Sequence, residues 1–449
     1  MKWNIVSKTC CIHNNCILTA NVTLTDNPSS KGVFFAADSL PHPSTGLYFS
    51  INTNGSCELF LYSDNETHSI CQKKSPAIKA GQENQITMIL KDGIGSFFLS
   101  PDSSSWPVME LPLPISFTGN AAIVSDREEA YVSEETSVDT LSISEIEENT
   151  NSTSKTYQNP VLLGYADPDI LYYQGLYYMY ATSSTLPVGY EVYTSEDLVN
   201  WSYGGVVMKE IWGMKKWYWA PDIMERNGRF YMLVSVNEHL GIAVSASPMG
   251  PFIPQPDFLF DHSIDGHFFV DEDGKVYIYY VSWRDGKKYA LYGMEMESDC
   301  VTPKLMTETL ILSAAEEWEC QKAPVAEAPY MLKHNGLYYL TYSGSHFESI
   351  GYAVGYATAK SPLGPFTKYM ANPILSYHYM THGPGHHCIT TSPDQKELFL
   401  VYHTHHDLTT VSPRNICIDR MRFTQDGQGP DRLEVYGPSV LPMPYPSGC

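Results

Sequence analysis

The apolar residues of this chain come in short, strand-length runs, many of them alternating with polar ones, and turns rich in Gly, Asn, Asp and Pro separate them. A period of two sets alternate side chains on one face of an extended strand, so the pattern predicts β-structure. Over residues 1–148 the runs begin at Cys16, Gly32, Gly46, Cys57, Gln85, Gly95, Ala121 and Leu141. Strands at this spacing, with no helical period between them, predict a β-sandwich of the jelly-roll type. The stretch E-E-N-T-N-S-T-S-K-T from Glu147 is polar throughout and predicts a linker over 149–156, which leaves 157–449 for a second domain.

In that second domain one run recurs. It reads Q-G-L-Y-Y-M-Y-A-T-S from Gln174, N-G-R-F-Y-M-L-V-S from Asn227, D-G-K-V-Y-I-Y-Y-V-S from Asp273, N-G-L-Y-Y-L-T-Y-S from Asn335 and Q-K-E-L-F-L-V-Y-H-T from Gln395. The turns fall roughly 46 to 62 residues apart, the length of a four-stranded propeller blade, and five copies predict five blades. Related stretches from Val192, Ala243 and Tyr356 are expected to be third strands leading to the outer edge. Before each turn, where an innermost strand would begin, stands a polar residue: Asp167, Asp222, Asp265, Glu327 and His386. Radial repetition would bring these positions to one mouth, with Asp167, Asp222 and Glu327 equivalent in three blades.

Charge narrows the partners. Lys and Arg number 28 against 50 Asp and Glu, a formal charge of −22 spread along the chain, which disfavours nucleic acid, anionic membrane and acidic polysaccharide and points to a neutral ligand. No apolar run approaches a membrane span, and the first residues lack a signal-peptide pattern. A soluble, cytoplasmic protein is expected, or a secreted one if a leader has been removed. Ten cysteines, five of them before residue 72, read as reduced thiols. The set Cys10, Cys11, His13 and Cys16 does not match a usual zinc knuckle.

Hydrolysis of a glycosidic bond needs one carboxylic acid to protonate the departing oxygen and one carboxylate to activate water or attack carbon. The mouth residues supply such groups. The order N-P-V-L-L-G-Y-A-D-P-D-I, W-Y-W-A-P-D-I, A-E-A-P-Y-M-L-K-H-N-G-L-Y-Y-L-T-Y-S and G-P-G-H-H resembles glycoside hydrolase family 43, the inverting five-bladed propeller enzymes, over about Tyr157 to Pro438. The resemblance implies that Asp167 is the general base, Glu327 the general acid and Asp222 the neighbour that orients Glu327 and keeps its pKa high. The W-M-N-D-P-N-G and R-D-P motifs of the related retaining propellers are absent.

Further positions carry two readings each. His386 is either an active-site hydrogen-bonding group or, as the resemblance to arabinan-cleaving members suggests, a water-mediated ligand of a structural Ca2+ on the axis; catalysis by carboxylates itself requires no cofactor. His387 is expected to point away from the mouth. Asp265 either positions ligand or caps a turn. Arg414 falls where family members often place an arginine that reaches substrate or base, and otherwise forms a surface ion pair. Trp217, Tyr218, Trp219, Trp283 and Phe347 are stacking candidates or core, with Trp219 the foremost.

These readings converge on an inverting exo-glycosidase that removes terminal α-L-arabinofuranosyl residues from neutral glycans. β-D-Xylosidase, β-D-galactofuranosidase and endo-arabinanase are the alternatives on the same scaffold, and a non-catalytic carbohydrate-binding protein is the rival from another class.

Overall fold

In a computed structural model the described residues are 4–5, 10–12, 15–24, 30–38, 43–64, 66–99, 106–115, 119–125, 140–145, 155–284, 289–425 and 429–449. His13 and most of the expected linker lie outside them, as do the side chains of Cys10 and Cys11. The chain divides into two compact units, Met1–Thr153 and Ser154–Cys449. Among the described residues Cys57, Cys71, Cys300, Cys320, Cys388, Cys417 and Cys449 form no disulfide. Among the described residues no helix is long and apolar enough to cross a membrane.

The first unit is a sandwich of two antiparallel sheets. One runs in the order Asn4–Ile5, Gly119–Ser125, Ser30–Ala37, Thr45–Asn52, Ser56–Ser63 and Glu66–Lys74; the other runs Met109–Pro112, Ile94–Leu99, Glu83–Lys91, Cys16–Thr23 and Thr140–Glu145. Every second residue of Cys16–Thr23 is buried, as the alternation of C-I-L-T-A-N-V-T requires. Phe35 and Phe49 of the first sheet pack on Phe97 of the second, with ring centroids 6.0 and 4.8 Å apart, and this aromatic contact forms part of the core between the sheets.

The second unit is a five-bladed β-propeller. Its innermost strands are Tyr165–Tyr173, Tyr218–Arg226, Ser263–Val270, Ala326–His334 and Gly385–Thr391, here blades I to V. Each inner strand hairpins into a tyrosine-rich second strand. At Gln174-Gly175, Asn227-Gly228 and Asn335-Gly336 both turn residues have positive φ, the conformation that a tight two-residue hairpin demands and that Gly and Asn adopt most easily. Third strands follow at Tyr190–Ser195, His239–Ser245 and Ala353–Ala359, where the sequence echoes lie.

The apolar core is divided among the gaps between blades. Tyr180, Val192, Met232 and Val234 fill the gap between I and II, and Ile170, Met179, Val401 and Ile416 fill the gap between V and I that closes the ring. Closure also uses the chain ends. Leu162–Leu163 and Arg432–Val435 both pair with Asn415–Thr424 of blade V, and Thr156–Tyr157 pairs with Met443–Pro444.

Candidate active site

The mouth is built by one irregularity repeated in every blade. Ladder pairing of the inner strand with its neighbour skips between Ala166 and Asp169, Trp219 and Asp222, Ile264 and His267, Glu327 and Tyr330, and Gly385 and His387. Each skip is a β-bulge whose central residue has positive φ: Asp167, Ala220, Asp265, Ala328 and His386. Proline follows in blades I, II and IV, where the missing ladder bond makes its lack of an N–H harmless.

The bulges are held by side chains from the ends of the second strands. Thr182 Oγ1 accepts the Ala220 N–H at 2.9 Å, Ser235 Oγ that of Asp265 at 2.9 Å, Ser343 Oγ that of His386 at 2.8 Å, and His403 Nδ1 that of Asp167 at 3.3 Å. At the remaining junction Ser282 Oγ instead donates to His262 O, and the Asp265 carboxylate takes the Ala328 N–H. Asp265 thus grips the backbone directly after Glu327.

Asp167 is buried, and its charge is compensated on all sides. Arg414 Nη1 donates to Oδ1 at 2.7 Å and Nη2 to Oδ2 at 3.2 Å, Thr182 Oγ1 donates to Oδ2 at 2.6 Å, and His386 Nδ1 stands 3.3 Å from Oδ1. Burial opposes the charge, but the Arg414 guanidinium with His386 and His403 outweighs it and holds the carboxyl well below the usual range. Phe347 packs under the Arg414 guanidinium, 4.8 Å from the ring centroid.

Glu327 behaves oppositely. Burial, countered by a hydrogen bond from Tyr352 Oη and reinforced by the Asp167 charge, pushes its pKa up to about 7. Burial and the charge of Glu327 raise Asp265 as well. The mouth therefore pairs an ionised carboxylate with a carboxyl that holds its proton near neutrality. Burial lowers His386 to about 4, so it is a neutral imidazole there.

Two expectations about the ring need correction. Asp222 is not equivalent to Asp167: aligned on their prolines, Ala220 takes that place, and Asp222 corresponds to Asp169. Its carboxylate faces the next blade, with Oδ1 2.7 Å from His267 Nδ1 and Oδ2 accepting the Phe268 N–H at 2.9 Å, while Asp169 Oδ2 accepts the Ile223 N–H at 2.8 Å. The carboxyl beside Glu327 is Asp265. Glu327 in turn precedes its bulge residue, Ala328, by one position.

The remaining candidates distribute as follows. His387 turns from the mouth and its Nε2 meets Thr341 Oγ1 at 2.7 Å. Trp219 stacks on Trp217, centroids 5.7 Å apart, next to the Ala220 amide that Thr182 holds. Tyr218 is core. Trp283 packs on Tyr289, centroids 4.8 Å apart, and Tyr289 lies close enough to Glu327 and Asp265 to feel their charges. Thr182, His403, Tyr352 and Tyr289 escaped the sequence reading. The first two had a signal, since each is next to last in a recurring second strand; Tyr352, in a connection, had none.

Asp265, Glu327 and His386 each offer a ligand atom within 4.8 Å of the others. By themselves these three do not make a calcium cage, since one donor is nitrogen and a calcium takes six to eight oxygens; water would have to supply the rest.

A propeller whose mouth sets an ionised carboxylate near a protonated one is equipped as a glycosidase. A profile of glycosyl hydrolases family 43 matches residues 157–428. The chain belongs to that family. It is 28% identical over 298 residues to the β-D-galactofuranosidase xynD of Aspergillus niger, covering 60% of this chain and 83% of that protein. It is also 28% identical over 261 residues to a β-xylosidase of Xylanibacter ruminicola, covering 49% and 76%. Among solved structures, a thermostable family-43 glycoside hydrolase superimposes with a TM-score of 0.60 at 36% identity, covering 65% of this chain and 99% of its own. A Bacteroides thetaiotaomicron endo-1,4-β-xylanase gives 0.58 at 31%, covering 64% and 98%.

Proposed function

We propose that the propeller is an inverting exo-glycosidase that removes a terminal α-L-arabinofuranosyl residue, with Asp167 as general base and Glu327 as general acid. The supporting observation is the setting of these two carboxyls: Arg414 and Thr182 bind both oxygens of Asp167, whereas Glu327, among the described residues, receives a single phenol hydrogen bond and no cation. Asp167 takes a proton from water as the water oxygen bonds to the anomeric carbon. Glu327 gives its proton to the glycosidic oxygen as the carbon–oxygen bond breaks. Arg414 and Thr182 hold the base, Asp265 holds the backbone of the acid, and no metal takes part. A second reading, β-D-galactofuranose, is favoured by the Aspergillus niger relative, since its ring resembles that of arabinofuranose.

The test separates acid from base. Glu327→Ala should be nearly inactive on alkyl arabinofuranosides and recover on aryl ones with acidic phenols, which leave without protonation; Asp167→Ala should stay inactive on both. Proton NMR of the first-formed sugar should show the anomer opposite to that of the substrate, and exhaustive chelation should leave most of the rate. Retention of configuration, or parallel behaviour of the two variants, would overturn the mechanism, and faster cleavage of the galactofuranoside would replace the sugar.

A further inference from the structure

Glu327 has two carboxyl oxygens, and which one carries the transferable proton is set by what the other accepts. Oε1 receives the hydrogen bond of Tyr352 Oη at 2.7 Å. The polarity of that bond can be traced back to the backbone. The His386 N–H can only donate, and Ser343 Oγ accepts it at 2.8 Å. Ser343 therefore has its own proton free for the phenol oxygen of Tyr352, with which it is hydrogen-bonded. The single proton of Tyr352 is then committed to Glu327.

We propose that Tyr352 is a positioning residue for the general acid: the chain from His386 N–H through Ser343 Oγ and Tyr352 Oη to Glu327 Oε1 leaves Oε2 as the oxygen that carries the proton given to the leaving group. This rests on the reading of Glu327 as the acid. Tyr352 is fully buried and held between the two halves of the site. Its ring stacks on His403, the histidine that accepts the Asp167 amide, with centroids 5.6 Å apart and planes at 16°. On the blade V side it presses on Gly385, where a Cβ would stand 2.3 Å from a ring carbon, so any larger residue there displaces the phenol. Burial, then the Glu327 charge, keeps the phenol pKa well above 10, so the donor stays protonated at any working pH.

Asp167, Arg414, Asp265, His386 and Tyr289 also face Glu327. Among these and Tyr352, the Tyr352 hydroxyl can be removed while its ring stays in place. Tyr352→Phe does this and should leave the fold intact by near-UV circular dichroism. It should lower kcat/KM about 10- to 100-fold on methyl α-L-arabinofuranoside, where acid catalysis is needed, and less than about 3-fold on the 2,4-dinitrophenyl glycoside. The pKa of Glu327, followed by carboxyl 13C NMR and assigned with Glu327→Gln, should rise, because a hydrogen bond that favours the ionised form is gone. Ser343→Ala, which removes the donor to the phenol oxygen and so weakens the bond that Tyr352 gives to Glu327, should move that titration in the same direction. Equal losses on the two substrates, or a Glu327 titration that does not move, would overturn the proposal. If the wild type cleaves neither glycoside, the proposed sugar falls, and the Glu327 titration still decides the hydrogen-bond chain.

Discussion

Asp167 keeps a charge in a buried site because a bidentate guanidinium, a hydroxyl and two imidazoles surround it; Glu327 holds its proton because burial, then the charge of Asp167, disfavours the ionised form. The signs of the pH profile follow. With Asp167 as the proposed base, ionised and held well below the usual range, activity should persist as pH falls through 4; with Glu327 as the proposed acid, protonated in the working form, activity should decline as pH rises through about 7. That upper limb belongs to Glu327 and Asp265 together, since they interact. Asp265→Asn should therefore move the limb, because the titration that Asp265 shares with Glu327 is gone. Asp222→Asn should leave it in place and lower stability by about 1–2 kcal/mol through its bonds to His267 and Phe268. Rate profiles and urea melts of both variants check this; a limb that moves with Asp222 and not with Asp265 would reverse the assignment. Asp167 and Glu327 were legible because each sits in a local motif. The misplacement of Asp222 came from matching carboxylates to one another: matched on proline, A-D-P-D-I and W-A-P-D-I set Ala220 opposite Asp167.

At the scale of the element, the working unit is a bulge on one blade and the end of the second strand of the blade before it. Positive φ at a residue other than glycine costs of order 1 kcal/mol or more, and it persists where the surroundings over-determine it. Here the bulge amide is fixed across the blade gap by Thr182, Ser235, Ser343 or His403. Thr182 does this twice over, accepting from Ala220 and donating to Asp167. Thr182→Val, nearly isosteric, should cost roughly 1–3 kcal/mol by leaving a buried amide unpaired, and should lower kcat more than KM by loosening the base. Urea unfolding and steady-state kinetics on one preparation test both; wild-type stability with wild-type kcat would show that water replaces the hydroxyl at no cost. The repeated strands were readable because tyrosine-rich runs and Asn-Gly turns are local signals. The stitches were written in the same runs, as a Thr, Ser or His at the last or next-to-last place, but their partners lie a blade away and only radial closure brings them together.

At the scale of the whole molecule, period-two patterning and turn spacing were enough for the sandwich and the five blades, since both depend on local preference repeated many times. How the ring closes was not readable: Leu162 and Leu163 pair with residues some 250 positions away, and no local pattern encodes that partner. The closing segment is small but well tied. Tyr157 is buried and donates from Oη to Ile418 O at 3.1 Å; Asn159 accepts the Ile418 N–H at 2.9 Å and returns a bond to its carbonyl at 2.9 Å; Val161 N donates to Ile416 O at 2.8 Å. All of these fall on Asn415–Thr424, the strand that follows Arg414 directly. A chain that begins at Ser154 keeps this edge and should unfold cooperatively, whereas one that begins at Gly164 exposes it and leaves the clamp on Asp167 without support. The loss of one buried tyrosine and several hydrogen bonds amounts to roughly 3–6 kcal/mol, about a 10 °C fall in Tm for a unit of this size. Activity at a temperature where both chains are folded should fall as well, because the strand bearing Arg414 has lost its edge. Equal Tm and equal kcat/KM for the two chains would show that the blade gaps alone close the ring and that the base needs nothing from the closing strand.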